Sequence, residues 1–251
     1  MRVRRLALLL LTGCGRIAFD PLGGSGDDGT TNGDARGNGD GAGGDGTSGG
    51  GPQLVDSGIE DVPSGNSLTE NLPNGVQTGD VIIACIGFRD GSTNITGVSD
   101  TLGTTYSREM ATHRTNNAVS QECMVAIATT SASSFQVTVV LSVAANQPSL
   151  RVLVYRGVDT SQAIQPQGSG GANIQNMSAS TIAFKAGAKI VGLNTADRTA
   201  TAGAGLNLLF ANAYGDIVEE KTATTTGLQS TPATLASAGN WVMEAIALPP
   251  P

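Results

Sequence analysis

From about Gln53 to Leu248 the chain is a succession of short apolar runs separated by turn residues. Val81-Ile82-Ile83-Ala84-Cys85-Ile86 is almost continuously apolar, which predicts a strand buried on both faces. Phe135 to Val143 alternates instead. Phe135, Val137, Val139, Leu141 and Val143 fall on one face, and Gln136, Thr138 and Ser142 on the other. Leu150 to Tyr155, Lys189 to Leu193, Leu206 to Phe210 and Trp241 to Leu248 read as further strands. Pro73-Asn74-Gly75, Asp90-Gly91, Asp100-Thr101-Leu102-Gly103 and Tyr214-Gly215-Asp216 punctuate them with turn residues. No window carries an apolar stripe at helical spacing, and Ser107 to Arg114 could coil for a turn or two at most. The pattern predicts an all-β domain over residues 53–251 with roughly ten to thirteen short strands. The expected form is a two-sheet antiparallel sandwich, jelly-roll-like or immunoglobulin-like. A domain of this size buries more than ~70% of its unfolded surface, enough to stand without a metal or a disulfide.

The first residues have a different texture. Arg2, Arg4 and Arg5 precede the short apolar run Leu6-Ala7-Leu8-Leu9-Leu10-Leu11, and Thr12-Gly13-Cys14 follows. A basic start, a greasy stretch too short to span a bilayer and small residues make a secretory signal over residues 1–13. Leu11-Thr12-Gly13-Cys14 resembles the bacterial lipobox, which implies that Cys14 becomes the first residue and the site of lipid attachment. Gly15 rather than Asp follows it, which is compatible with delivery to the outer membrane. Cleavage leaves 11 basic against 21 acidic residues, a net charge of −10. Anionic lipid and nucleic acid would repel such a body, so membrane contact falls to the acyl chains.

Residues 14–52 read as a lipidated N-terminus and a flexible Gly/Asp-rich linker between anchor and domain. Positions 23–52 contain 14 Gly and five Asp, with no apolar residue larger than Ala35, Ala42 and Pro52. Such a segment cannot bury enough surface to offset the entropy of ordering it. Its Gly46-Thr47-Ser48-Gly49-Gly50 and Gly39-Asp40-Gly41-Ala42-Gly43-Gly44 match hydrolase-elbow and dinucleotide fingerprints in letters only. Both chemistries need a strand before the turn and a helix after it, and neither pattern flanks them.

Composition narrows the functional classes. Charged residues make up 14% of the chain and aromatics 4%, too few for a coiled coil and too few cations for nucleic acid. His113 is the only histidine and sits among polar residues, which leaves no His-based triad and no histidine-held metal site to expect. Cys85 and Cys123 lie in apolar runs and read as two buried free thiols, although a secreted chain permits a disulfide. Asp216, Glu219 and Glu220 form the best acidic cluster, a candidate ligand or calcium site. On a strand, Glu219 and Glu220 point to opposite faces. Asp216 and Glu220 share a face but lie ~13 Å apart, too far for the paired acids of a glycosidase. Of the body's aromatics, Phe88, Phe135, Tyr155, Phe184, Phe210 and Trp241 read as core, while Tyr106 and Tyr214 lie beside turns and could stack a sugar.

Several stretches resemble a group of secreted bacterial β-domains that open on a GVQAGDLLVA-type segment. They are Gly75 to Ala84, Val98 to Tyr106, Leu150 to Asp159, Gly215 to Glu220 and Asn240 to Met243. The resemblance spans about residues 66–248 and implies an all-β fold outside the cell, with no catalytic residue to carry over. Cys14 to Pro21 followed by the Gly/Asp tract resembles lipoproteins of myxobacteria and their relatives. The expected protein is a lipid-anchored surface lipoprotein with a structural or binding role, without cofactor or catalytic residues. Its partners would be the membrane, through the lipid, and an extracellular glycan or protein. The alternative is a secreted carbohydrate-active enzyme or lectin-like module on a jelly roll.

Overall fold

A computed structural model describes residues 50–107, 113–115, 118–164 and 166–251. The signal segment, Cys14 and most of the tether lie outside the described residues. Among these residues there are fourteen strands and no helix. In chain order they are β1 (Gln53–Asp61), β2 (Ser64–Leu72), β3 (Val81–Phe88), β4 (Ile95–Asp100), β5 (His113–Thr115), β6 (Val119–Ile127) and β7 (Phe135–Asn146). The second half adds β8 (Ser149–Arg156), β9 (Gln167–Ala183), β10 (Lys189–Ala196), β11 (Ala200–Ala202), β12 (Asn207–Ala211), β13 (Ile217–Thr222) and β14 (Gly227–Leu248).

The all-β expectation holds, with three antiparallel sheets where the sequence suggested two. One sheet has the order β1-β8-β3-β6-β5, a second β2-β7-β4, and a third β11-β14-β10-β13-β12 with β9 paired to β14. The reason lies in the strands of the first sheet. Every residue of β3 is buried, and all of β8 but Arg156. A strand apolar on both sides needs a cover on each. Ile82, Ala84, Ile86 and Phe88 of β3 pack with Leu68, Leu72, Val137 and Val139 of the three-stranded sheet. Val81, Ile83 and Cys85 pack the other way, against Val191, Leu193, Val218, Ile246 and Leu248 of the outer sheet. The first sheet is therefore the middle layer.

The face assignment along β7 holds through Leu141 and fails at Val143, which is 55% exposed. The register with β2 shifts between Gly65 and Ser67, so the strand's alternation is broken there. The outer sheet also folds back on itself. The register of β14 against β9 is interrupted between Thr234 and Trp241. Met177, Ala179, Ala233 and Leu235 then cover Ala196, Ile217, Trp241, Met243 and Ala245 in a third core. Gly192 permits this closure, because a Cβ there would stand 2.7 Å from the Cβ of Thr231.

The expectation of two free thiols is overturned. Cys85 and Cys123 face each other in register across β3 and β6 and form a disulfide. Apolar run composition could not reveal it, since the pairing depends on which strands become neighbours.

Candidate functional site

The three acids singled out in the sequence are not brought together. Asp216, fully buried just before β13, accepts from the Arg89 guanidinium at 2.8 Å and from the Ala196 N–H at 3.2 Å. Arg89 also donates to the carbonyls of Ala196, Tyr214 and Gln147. Its guanidinium lies 5.3 Å from the centre of the Tyr214 ring. Asn212 links Asp216 onward to Asp61 of β1. Asp216 is thus a joint between layers. Glu220 shares its face of β13 but sits at the other end of β10, where it accepts from the Tyr155 hydroxyl at 2.7 Å and from Lys189 at 3.1 Å. Burial, reinforced by the Glu220 carboxylate, holds the Tyr155 hydroxyl well above its usual range. Glu219 points to the opposite face, is fully buried, and accepts only the Gly203 N–H at 3.0 Å. Its other oxygen has no partner, and burial pushes the carboxyl up to about 7. Among the described residues, no metal-ligating group includes any of these acids.

The aromatic reading is also corrected. Tyr106 is half-buried against the first core, with its hydroxyl donating to Asp100 at 3.0 Å. Tyr214 lies under Arg89. Neither offers a free ring, whereas Phe184, expected in the core, is 61% exposed. It lines a groove of about 320 Å³ with Ile182, Leu228, Ser180 and Gln167. A larger groove of about 410 Å³ runs past Thr104, Ser107, Ile127 and Gln162. His113 lies on β5 opposite Gln121.

The densest buried chemistry is elsewhere. In β8, Arg151 has no exposed surface, and it stands opposite Cys85 in register. Its guanidinium donates to the Asn194 carbonyl, to the Thr195 hydroxyl at 3.1 Å and to the Gln121 side-chain carbonyl at 3.3 Å. All three partners are neutral, and Nε has none. Gly87 makes the space, since a Cβ there would fall 1.8 Å from Thr195 Oγ1. Glu244, on β14 opposite this cluster, is 1% exposed. One of its oxygens accepts the Cys123 N–H at 3.1 Å, and the other has no partner. Burial pushes its carboxyl up to about 8. The Cys85 and Cys123 sulfurs and a Glu244 oxygen lie within 4.8 Å of one another. Sequence reasoning passed over Arg151 and Glu244. The available signal was a lone charge inside a run whose neighbours on both sides are apolar.

No family model, curated protein or solved structure matches the chain.

Proposed function

We propose that this chain is a lipoprotein of the cell envelope, anchored through Cys14 in the outer membrane, whose β-domain serves a binding or structural role without catalysis. The observation that carries this reading is the Cys85–Cys123 disulfide, taken with the lipobox Leu11-Thr12-Gly13-Cys14. Disulfides persist in oxidising compartments outside the cytoplasm, where a lipobox would deliver the chain. The placement of the acids supports the non-catalytic part. Asp216 is occupied by Arg89, the Ala196 N–H and the Asn212 amide, Glu220 by Lys189 and the Tyr155 hydroxyl, and Glu219 faces away from both. The exposed groove at Phe184 and Leu228 is the surface best suited to an extracellular glycan or protein, combining apolar area with the polar rim of Ser180 and Gln167.

Fractionation of the native protein and a Cys14→Ala variant tests the anchor. The native protein should sediment with membranes and enter detergent, and the variant should stay in the aqueous fraction. Equal membrane partition of both would sink the lipoprotein reading. Hydrolysis assays on polysaccharide, peptide and ester substrates test the second half, with background rates expected. Turnover abolished by Asp216→Ala or Glu219→Ala in folded protein would establish an enzyme instead.

A further inference from the structure

The buried cluster of Cys85, Cys123 and Glu244 holds more polar capacity than its present bonds use. Its three ligand atoms come from three strands, β3, β6 and β14, in two packed layers, within 4.8 Å of one another. The free oxygen of Glu244 is the decisive detail. A carboxyl group that is 1% exposed, keeps one oxygen unpartnered and brings an oxygen within 4.8 Å of two sulfurs has unused capacity for a ligated centre. Buried polar atoms are ordinarily satisfied, so each exception calls for a cause.

We propose that, when Cys85 and Cys123 are reduced, they and Glu244 bind one zinc-class divalent cation in place of the disulfide. Two thiolates and a carboxylate are the soft and borderline donors such a cation selects over calcium or magnesium. Binding forms two sulfur–metal bonds and one oxygen–metal bond and releases to solvent the two thiol protons and any proton the Glu244 carboxyl carries. Glu244 supplies its unpartnered oxygen while the other keeps the Cys123 N–H. Three anionic ligands around a dication leave one surplus negative charge. The Arg151 guanidinium, opposite Cys85 in register and hydrogen-bonded only to neutral groups, supplies the matching positive charge. The disulfide and the metal are two ways of closing the same interior, selected by the redox state in which the chain folds.

The test uses the full chain carrying Cys14→Ser, so that Cys85 and Cys123 are the two cysteines that remain. The protein is unfolded with a phosphine reductant and refolded with cobalt(II) or zinc(II); a second sample is refolded oxidised. The reduced sample should retain one metal per chain after desalting and show thiolate-to-cobalt charge-transfer absorption, and the oxidised sample neither. Glu244→Gln should weaken the metal by roughly ten-fold or more, while Glu219→Gln, a buried acid away from the cluster, should not. Should Glu244→Gln fail to refold reduced, alkylation of the parent decides: bound zinc must slow modification of both thiols. A reduced, folded protein that retains no metal, or one whose metal is indifferent to Glu244→Gln and leaves alkylation unchanged, overturns the proposal.

Discussion

The middle sheet presents two faces of opposite character, and β8 shows both in adjacent residues. Leu150, Val152 and Val154 enter a core against the three-stranded sheet that is apolar from end to end. Arg151, Leu153 and Tyr155 turn to the outer sheet. There, the Tyr155 ring packs with Val81, Val191 and Leu248 and sends only its hydroxyl to Glu220, while the Arg151 end is a buried network of Gln121, Asn194, Thr195, Glu244 and the disulfide. The first interface is stabilised by area, a non-directional quantity that survives repacking. The second rests on directional bonds, from Arg151 and Gln121 to the outer strand β10 and from the Cys123 N–H to Glu244, which fix how the outer sheet sits on the middle one.

The comparison breaks most visibly at adjacent residues of β8. Val152→Ala removes two methyls from an apolar core and should cost about 2 kcal/mol. Arg151→Ala opens a larger void and removes the guanidinium from the Gln121 and Thr195 side chains and the Asn194 carbonyl, leaving Gln121 and Thr195 only their bonds to each other and to the Leu193 carbonyl. Its cost should be about 4 kcal/mol. Urea unfolding of the two variants measures the gap. Equal midpoints would show that the polar end contributes no more than packing.

How much of this was legible in the sequence differs between the two faces. The runs at Val81, Phe135, Leu150, Lys189 and Trp241 fall in strands, because their periodicity reflects burial by sheets that cover them; the run after Leu206 forms the edge strand β12 with no buried residue. The long arm formed by β9 and the first half of β14 was not legible. Its inward residues include Met177, Ala179, Thr181, Thr231 and Ala233, mostly small because they close over Gly192 and the third core. Alternation between small and polar residues carries almost no hydrophobic signal. The acids at 216–220 were legible as a cluster but not in their partners. Arg89 lies 127 residues from Asp216, and Glu244 lies 121 residues from Cys123. The metal-competent cluster needed the strand register, which local pattern does not contain.

The second break is at the joint between layers. Asp216→Asn keeps the shape of the side chain but leaves Arg89 as a buried cation without its anion. Both side chains of the pair are at most 8% exposed. The amide can still meet part of the Ala196 and Asn212 hydrogen bonding, so the expected cost is about 3 kcal/mol rather than the larger penalty at Arg151. Arg89→Met with Asp216→Asn should recover part of the loss, because no charge is then stranded. A double variant less stable than the sum of the two singles would mean that the pair is not the joint described here.

The smallest effect sharpens the comparison through pH. Glu219 is buried in the folded-back part of the outer sheet, with its carboxyl pushed up from the ordinary 4.5 to about 7 by burial. The unfolded chain releases that proton near 4.5, whereas the folded chain holds it to about 7. Between these values the folded state binds more protons, so stability falls as pH rises and levels off above about 7. Glu219→Gln cannot ionise in either state and can keep the hydrogen bond from the Gly203 N–H through its amide oxygen. It should match the parent near pH 5 and exceed it by roughly 1–2 kcal/mol near pH 8. Glu70 and Glu244 also titrate from raised positions, but they do so in both proteins and cancel in the difference. Thermal unfolding of parent and variant across this range reads the effect directly. A constant offset at every pH would mean that the Glu219 carboxyl titrates alike in the folded and unfolded chains, and burial in the third core would then not be what holds its proton.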